Sequence, residues 1–388
     1  MKEITVADSI EDGARGCIFG GAVADSIGGS TEGWTPEVIK ERFGGWVTNF
    51  VGPFFADWQT ARPISPLHKG DGHVTDDTLM VLALSNVYQK VRDHLSAFDM
   101  ADHLIPEIAD KPIYIPEFER ETVLVNRLFY AEKYLLLRLR HAHIDPREAG
   151  VGNVVNCGAS MYMAPVGIIN AGNPDGAYLE AIEIAGAHQL SYGREAPGVM
   201  AAAVAEALRP GASLESVIKT CLRLARDGTR DAIQAVTEAA RGCNDWETAI
   251  PVLRDAVRPF DTVGEDYRNP QLDARKPSRT KAIEELPVAL GMLVACEGKY
   301  LETVFGGVNY GRDSDSIAGM GGAIAGALHG AKAVPADWVA FITHSSRKDF
   351  EAVALGLAQV AHEVFEKDTQ RWQTRTAGFP GAKLESGV

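Results

Sequence analysis

A chain of 388 residues, 46% hydrophobic and 23% charged, has the composition of a globular protein large enough to bury a sizeable core. Its formal net charge of -14 argues against a nucleic-acid backbone or an anionic membrane as the main partner. The five cysteines (Cys17, Cys157, Cys221, Cys243, Cys296) are an odd number without C-x-x-C spacing, which fits a reducing compartment and disfavours a disulfide framework or a thiolate zinc site.

Along the chain, residues 1–12 carry Glu3, Asp8, Glu11 and Asp12 and lack the apolar core of a signal peptide. Helical periodicity then predicts helices over 12–27, 78–92, 119–141, 175–187, 198–208, 213–226, 230–241, 281–296, 315–329 and 337–365. Strand patterns are scarce, and 45–55 is the nearest to one. Pro/Gly-containing stretches at 51–72 and 259–277 read as loops. The longest small-apolar run, 317–328, is too short to span a bilayer. The expectation is an all-α fold: a single compact multi-helix domain over 1–375, with insert-like regions at about 92–150 and 259–280 and a flexible tail at 376–388. A cytoplasmic location follows from the same features.

Two acidic clusters stand out, each opening a predicted helix: Thr75-Asp76-Asp77-Thr78 and Asp313-Ser314-Asp315-Ser316. One such cluster is good helix-start chemistry, because Thr caps the first turn and the macrodipole favours anions there. Two of them, brought together, concentrate four carboxylates in a small volume, which is costly unless cations neutralise them. Hard oxygen donors of this kind suit a site for divalent cations, read here as binuclear. The second cluster runs into a helix with Gly319, Gly322, Gly326 and Gly330 at spacings of three and four. Each interior Gly costs about 1 kcal/mol of helix propensity, so something must pack closely against that face. The first helix, with Gly16, Gly20 and Ala24, offers the matching surface.

Three segments in order resemble the ADP-ribosylglycohydrolases, a family of magnesium-dependent all-α enzymes. They are Gly20-Gly21-Ala22-Val23-Ala24-Asp25-Ser26-Ile27-Gly28 followed by Glu32, then Thr75-Asp76-Asp77-Thr78, then Val308-Asn309-Tyr310-Gly311-Arg312-Asp313-Ser314-Asp315-Ser316. The resemblance implies that Thr75, Asp76, Asp77, Asp313, Asp315 and Ser316 ligate two Mg²⁺ (or Mn²⁺) ions. It further implies catalytic roles for Asp77, Asp315 and Glu32, the last as ligand, gate or proton acceptor at the site mouth. The implied reaction is hydrolysis of an N- or O-glycosidic bond to an ADP-ribosyl group, through an oxocarbenium-like transition state.

The sequence departs from the family where substrate is expected to be held. Asn156-Cys157-Gly158-Ala159-Ser160-Met161-Tyr162 stands where the family shows G-N-G-A-x-M-R, Ser191-Tyr192 stands for a Thr-His pair, and Arg312 replaces a Gly. Asp25, Cys157, Gly158, Met161, Tyr162, Ser191, Tyr192 and Arg312 are the expected substrate-binding residues. Tyr cannot imitate the bidentate charge of Arg, so altered specificity is one reading and compensated drift another. The first reading keeps the metal chemistry on a nucleoside-like or other small glycoside; a third reading is a binding relative without turnover. The expected partner is a small-molecule or ADP-ribosylated substrate, with no nucleic acid or membrane, and the oligomeric state stays open. His73 and His188 lack partners at recognisable spacing and read as structural, and the cationic run 268–281 reads as a solvated loop. No P-loop, Rossmann fingerprint or G-x-S-x-G is present.

Overall fold

Small residues set the centre of the molecule. In the computed structural model, which describes residues 6–59, 68–260 and 281–379, helix α1 (Val6–Gly28) lies along the Gly-rich helix Ser314–His329. A Cβ at position 322 would sit 2.5 Å from the Gly20 carbonyl oxygen, and one at 326 would fall inside the contact radius of the Gly16 carbonyl. Only glycine permits that approach, and the matching faces expected from sequence do pair.

The remaining elements wrap this pair. They are α2 (Pro36–Phe43), α3 (Asp76–Val91), and the short α4 (Ala97–Asp99) and α5 (Ile105–Ala109) joined by a π turn. A hairpin of β1 (Pro112–Ile115) and β2 (Arg120–Val123) follows, then α6 (Tyr130–Leu136), a 3₁₀ helix at Cys157–Tyr162, and α7 (Ala164–Ile169). Next come α8 (Pro174–Ala185), α9 (Tyr192–Ala207), α10 (Leu214–Leu224), α11 (Asp227–Ala240) and α12 (Trp246–Val257). The last five are α13 (Lys281–Ala295), α14 (Tyr300–Tyr310), α15 (Ser314–His329), α16 (Ala336–Ser346) and α17 (Phe350–Ala377). The first helix packs on α15 and α17, so the first and last described helices share one all-α core.

The local departures from expectation have plain causes. Residues 119–141 are not one helix. Glu119 takes a left-handed φ of 53°, and the β-branched run after it pairs antiparallel with β1, Ile113 opposite Thr122. Residues 45–55 form no strand; their aromatic content goes into ring packing instead, with Trp46 on Trp246 and Phe50 on Trp338. The expected helix 337–365 is two helices, broken at Arg347 (φ 52°) and restarted by the Asp349 side chain, which accepts from the Ala352 amide. Helix α17 runs to Ala377, past the expected tail boundary, and residues 380–388 lie outside the described residues. So do 261–280, with most of the second insert-like region and the cationic run. Among the described residues, no helix is long and apolar enough to cross a membrane.

Candidate metal centre

The two acidic helix starts meet because α1 ends between them. Gly28 closes α1 against the first turn of α15, where a Cβ would lie 2.6 Å from the Asp315 Cα. The Ser314 hydroxyl donates to the Gly28 carbonyl (3.0 Å), and the Thr31 hydroxyl lies 2.9 Å from Ser314 Oγ and 2.7 Å from the Val308 carbonyl. Asp25, in the last turns of α1, accepts from the Thr75 amide (3.0 Å), the Thr75 hydroxyl (2.5 Å) and the Thr78 hydroxyl. It thereby staples the start of α3 to α1. Ser346 holds the preceding loop, accepting from the Val74 amide at 3.0 Å and donating to the Gly72 carbonyl at 3.1 Å. Asn309 fixes the chain before the second cluster by exchanging hydrogen bonds with the Val47 backbone at 2.9 and 2.7 Å.

With this framework in place, Ser316 Oγ donates to Asp77 Oδ2 at 2.7 Å and joins the two clusters directly. Asp76, Asp77, Asp315 and Ser316 are buried. Burial, then the Asp315 and Asp25 charges, pushes the Asp77 carboxyl well up; burial, then Asp315 and Glu32, does the same to Asp313. Burial and Asp315 raise Asp25 to about 7. Two organic cations offset part of this charge. The His68 Nε2 lies 2.7 Å from Glu32 Oε2 and 3.2 Å from Asp315 Oδ2. Burial alone would depress its imidazole, but Glu32 and Asp315 outweigh it and push it up to about 9. The wholly buried Arg127 places Nη1 3.7 Å from Asp76 Oδ1 and donates from Nε to Glu117 Oε1 at 3.1 Å.

The donor set fits a hard divalent ion. Four carboxylates and the Ser316 hydroxyl line one cleft with the Thr75 hydroxyl behind them, all oxygen, as Mg²⁺ or Mn²⁺ prefers. Thr75 spends its proton on Asp25 and one lone pair on the Asp77 amide, which leaves one oxygen lone pair for a cation. Carboxyls raised this far are groups that gain from a bound cation.

The ADP-ribosylglycohydrolase family profile matches residues 7–371 of the chain. The chain belongs to the ADP-ribosylglycohydrolase family. It is also similar to the protein named "Uncharacterized protein YegU" of Escherichia coli (strain K12), at 23% identity over 347 residues, which cover 89% of this chain and 96% of that one. Its fold is that of a solved structure titled "ADP-ribosylglycohydrolase-related protein complex", with a TM-score of 0.63 and 20% identity over 91% of this chain and 99% of the other.

Against the family pattern, the structure sorts the expected residues into two groups. A cleft of about 570 Å³, counting its open mouth, is lined by Glu32, Asp76, Asp77, Asp313, Asp315 and Ser316, and by Cys157, Gly158 and Met161. Thr75 sits just behind, hydrogen-bonded to Asp25 and Asp77. The structure places the other expected substrate residues outside the lining of this cleft. Asp25 is engaged with Thr75 and Thr78 and is absent from the cleft wall. Tyr162 is turned inward, its hydroxyl 3.0 Å from His188 Nδ1. Arg312, at a φ of 52°, points Nη1 to Glu284 Oε1 at 2.5 Å, within the core. Ser191 is exposed at the start of α9, and Tyr192 packs over Gly228.

Several lining or flanking residues were not anticipated. Phe129, Tyr130, Glu132, Val154 and Asn156 complete the cleft wall, while His68, Arg127 and Glu285 stand beside the acids. Glu285 had a legible signal, since two adjacent acids interrupt the apolar run of α13. His68 and Arg127 had none: His68 lies in a stretch read as a loop, and Arg127 lies in a run whose helical spacing carries no sign of an acidic partner. The structural reading of His188 agrees with its surroundings: burial pushes its imidazole down to about 4 and holds it neutral.

Proposed function

We propose that this chain is a divalent-metal-dependent glycohydrolase that cleaves an N- or O-glycosidic bond to an ADP-ribosyl group. The observation that carries the reading is the 2.7 Å hydrogen bond from Ser316 to Asp77, which unites two acidic motifs 239 residues apart at the floor of a cleft. Asp76, Asp77, Asp313, Asp315, Ser316 and Thr75 are the residues that would hold two Mg²⁺ or Mn²⁺ ions. Such ions, when bound, orient ribose hydroxyls and lower the pKa of a water for attack at the anomeric carbon.

The chain's own groups supply the rest. An acid-lined cleft favours the cationic sugar that develops as the bond breaks. Glu32, at the rim and paired with His68, is placed to orient water or to hold its proton. Arg127 and His68 keep the metal-free cluster folded by offsetting its charge, and Asp25 holds the Thr75 oxygen in place.

A second reading keeps this chemistry and changes the substrate to a nucleoside-like or other small glycoside. One observation favours it: among the described residues lining the cleft, none is Lys or Arg, the side chains that most readily pair with a diphosphate. The test is a release assay over ADP-ribosyl-arginine, ADP-ribosyl-serine, nucleosides and simple glycosides, each with Mg²⁺, Mn²⁺ or EDTA. EDTA-sensitive release from an ADP-ribosyl compound, lost in Asp77→Ala and Asp315→Ala, is the expected result. Release only from non-ADP-ribosyl glycosides would establish the second reading. Metal-independent turnover, unaltered in both variants, would refute both.

A further inference from the structure

We propose that Cys157 is itself a metal ligand, acting with Glu285 and Asp313, and that one of the two cation positions thereby accepts a thiophilic borderline ion such as Co²⁺ or Zn²⁺. The inference rests on the binuclear reading above and adds to it a donor that the acidic motifs do not contain. Cys157 opens the 3₁₀ helix Cys157–Tyr162, where the Asn156 side chain caps the turn by accepting from the Gly158 amide at 3.1 Å. That cap aims the thiol at the second acidic cluster, with Sγ 3.1 Å from Asp313 Oδ2 and 3.4 Å from Ser316 Oγ. The ligand atoms of Cys157, Glu285 and Asp313 all lie within 4.8 Å of one another. Metal–ligand bonds of about 2.0–2.3 Å space the donors of one shell roughly 3–4 Å apart, so small side-chain rotations close the set.

Three features separate this group from a simple acidic patch. Glu285 arrives from α13, outside every acidic motif, and is completely buried. A carboxylate, a thiol and a second carboxylate brought within 4.8 Å of one another away from solvent are expensive to ionise without a cation. Second, Glu132 lines the same cleft, is 1% exposed, and its Oε2 has no hydrogen-bond partner. The adjoining wall therefore holds a buried polar oxygen that the protein itself leaves without a partner. Third, the donor types differ: sulfur with carboxylate oxygen selects softer ions than the all-oxygen set does. On binding, the Cys157 S–H bond breaks, the sulfur pair forms the S–M bond, and the proton leaves to solvent.

Full-length protein stripped with EDTA and titrated with Co²⁺ tests this. Wild type is expected to develop a thiolate-to-Co(II) charge-transfer band in the near ultraviolet. Cys157→Ser and Cys157→Asn should still bind Co²⁺, seen as ligand-field bands, yet lack the charge-transfer band. Each should also lower the Zn²⁺-to-Mg²⁺ affinity ratio at least tenfold, and Glu285→Gln should weaken Co²⁺ binding by a similar factor. The band should survive Cys243→Ala, the removal of the one cysteine that is not buried. Circular dichroism establishes that each variant is folded, and the Ser and Asn forms test the same sulfur with different replacements. Co²⁺ binding to wild type without a charge-transfer band, or with one that persists in both Cys157 variants, overturns the assignment and leaves the binuclear oxygen site standing. Failure to bind Mg²⁺, Mn²⁺ or Co²⁺ at all overturns it together with the proposed function.

Discussion

Replacing Glu132 by Gln tests the electrostatic account of the cleft at a residue outside the proposed metal ligands. Burial, then the nearby Asp76 charge, raises the Glu132 carboxyl from 4.5 to about 8. The folded chain thus keeps this proton over a range where the unfolded chain has released it. Stability from this group is fully present below about 4.5 and is lost as pH rises through about 8. At about 1.4 kcal/mol per pH unit, that interval sets a ceiling of roughly 5 kcal/mol, and sharing of the charge with Asp76 lowers the expected figure to about 2–4 kcal/mol. A glutamine side chain cannot ionise, so the stability of the variant lacks this slope. The assay is denaturant unfolding in EDTA from pH 4.5 to 9, with wild type and Glu132→Gln in parallel. The two should agree at the acid end and diverge with pH until the variant is the more stable by that amount. Contributions from Asp25, Asp77 and Asp313 are common to both and cancel in the difference. Parallel curves across the whole range would refute the claim that this carboxyl is held protonated by burial.

Two further predictions address the frame. Gly326→Ala places a methyl against the Gly16 carbonyl and should destabilise the fold by about 1–3 kcal/mol or more, whereas Gly319→Ala meets only ordinary contacts at 3.7 and 3.8 Å and should be neutral or stabilising by up to about 1 kcal/mol; thermal unfolding of the pair checks the contrast. Arg312→Gly removes a buried guanidinium from Glu284, which costs about 3–5 kcal/mol less roughly 1 kcal/mol for relief of the left-handed backbone at a φ of 52°. It should leave kcat/KM within about twofold on any substrate that the release assay identifies, because the side chain is absent from the cleft lining; a changed substrate preference without a stability loss would contradict that placement.

The fold was legible where one force dominated locally. Glycines spaced to meet other glycines announced the α1–α15 crossing, and Thr75 followed by two acids announced the start of α3. It was illegible where tertiary contacts overrode periodicity. The run around Leu124, Val125 and Leu128 has helical spacing, yet its core contacts are made from a hairpin and a 3₁₀ turn. At the site, the motif acids could be read because each motif carries several donors at short spacing. His68, Arg127 and Glu132 could not, since each contributes one side chain from a segment whose path is set by distant packing. Charge balance gave a general reason to expect cations near four buried acids, but no way to say which of the chain's 38 Lys and Arg or 10 His would supply them.

The departures from the family pattern look different once they have places. Arg312 and Tyr162 are two of the departures that suggest a changed substrate, and both face the core. Tyr162 nevertheless acts on the cleft at one remove. It stands where the family shows Arg, its hydroxyl meets the neutral His188, and His188 Nε2 lies 3.5 Å from Glu132 Oε1. A guanidinium at position 162 would bring a fixed positive charge toward Glu132 and favour its ionised form. A tyrosine brings none, so burial and Asp76 are left to raise that carboxyl, and the cleft wall presents a proton donor at neutral pH instead of another anion. The loss of the Arg and the proton on Glu132 are therefore a single change in charge. It alters the charge of the cleft wall through Glu132, a residue that no motif marks.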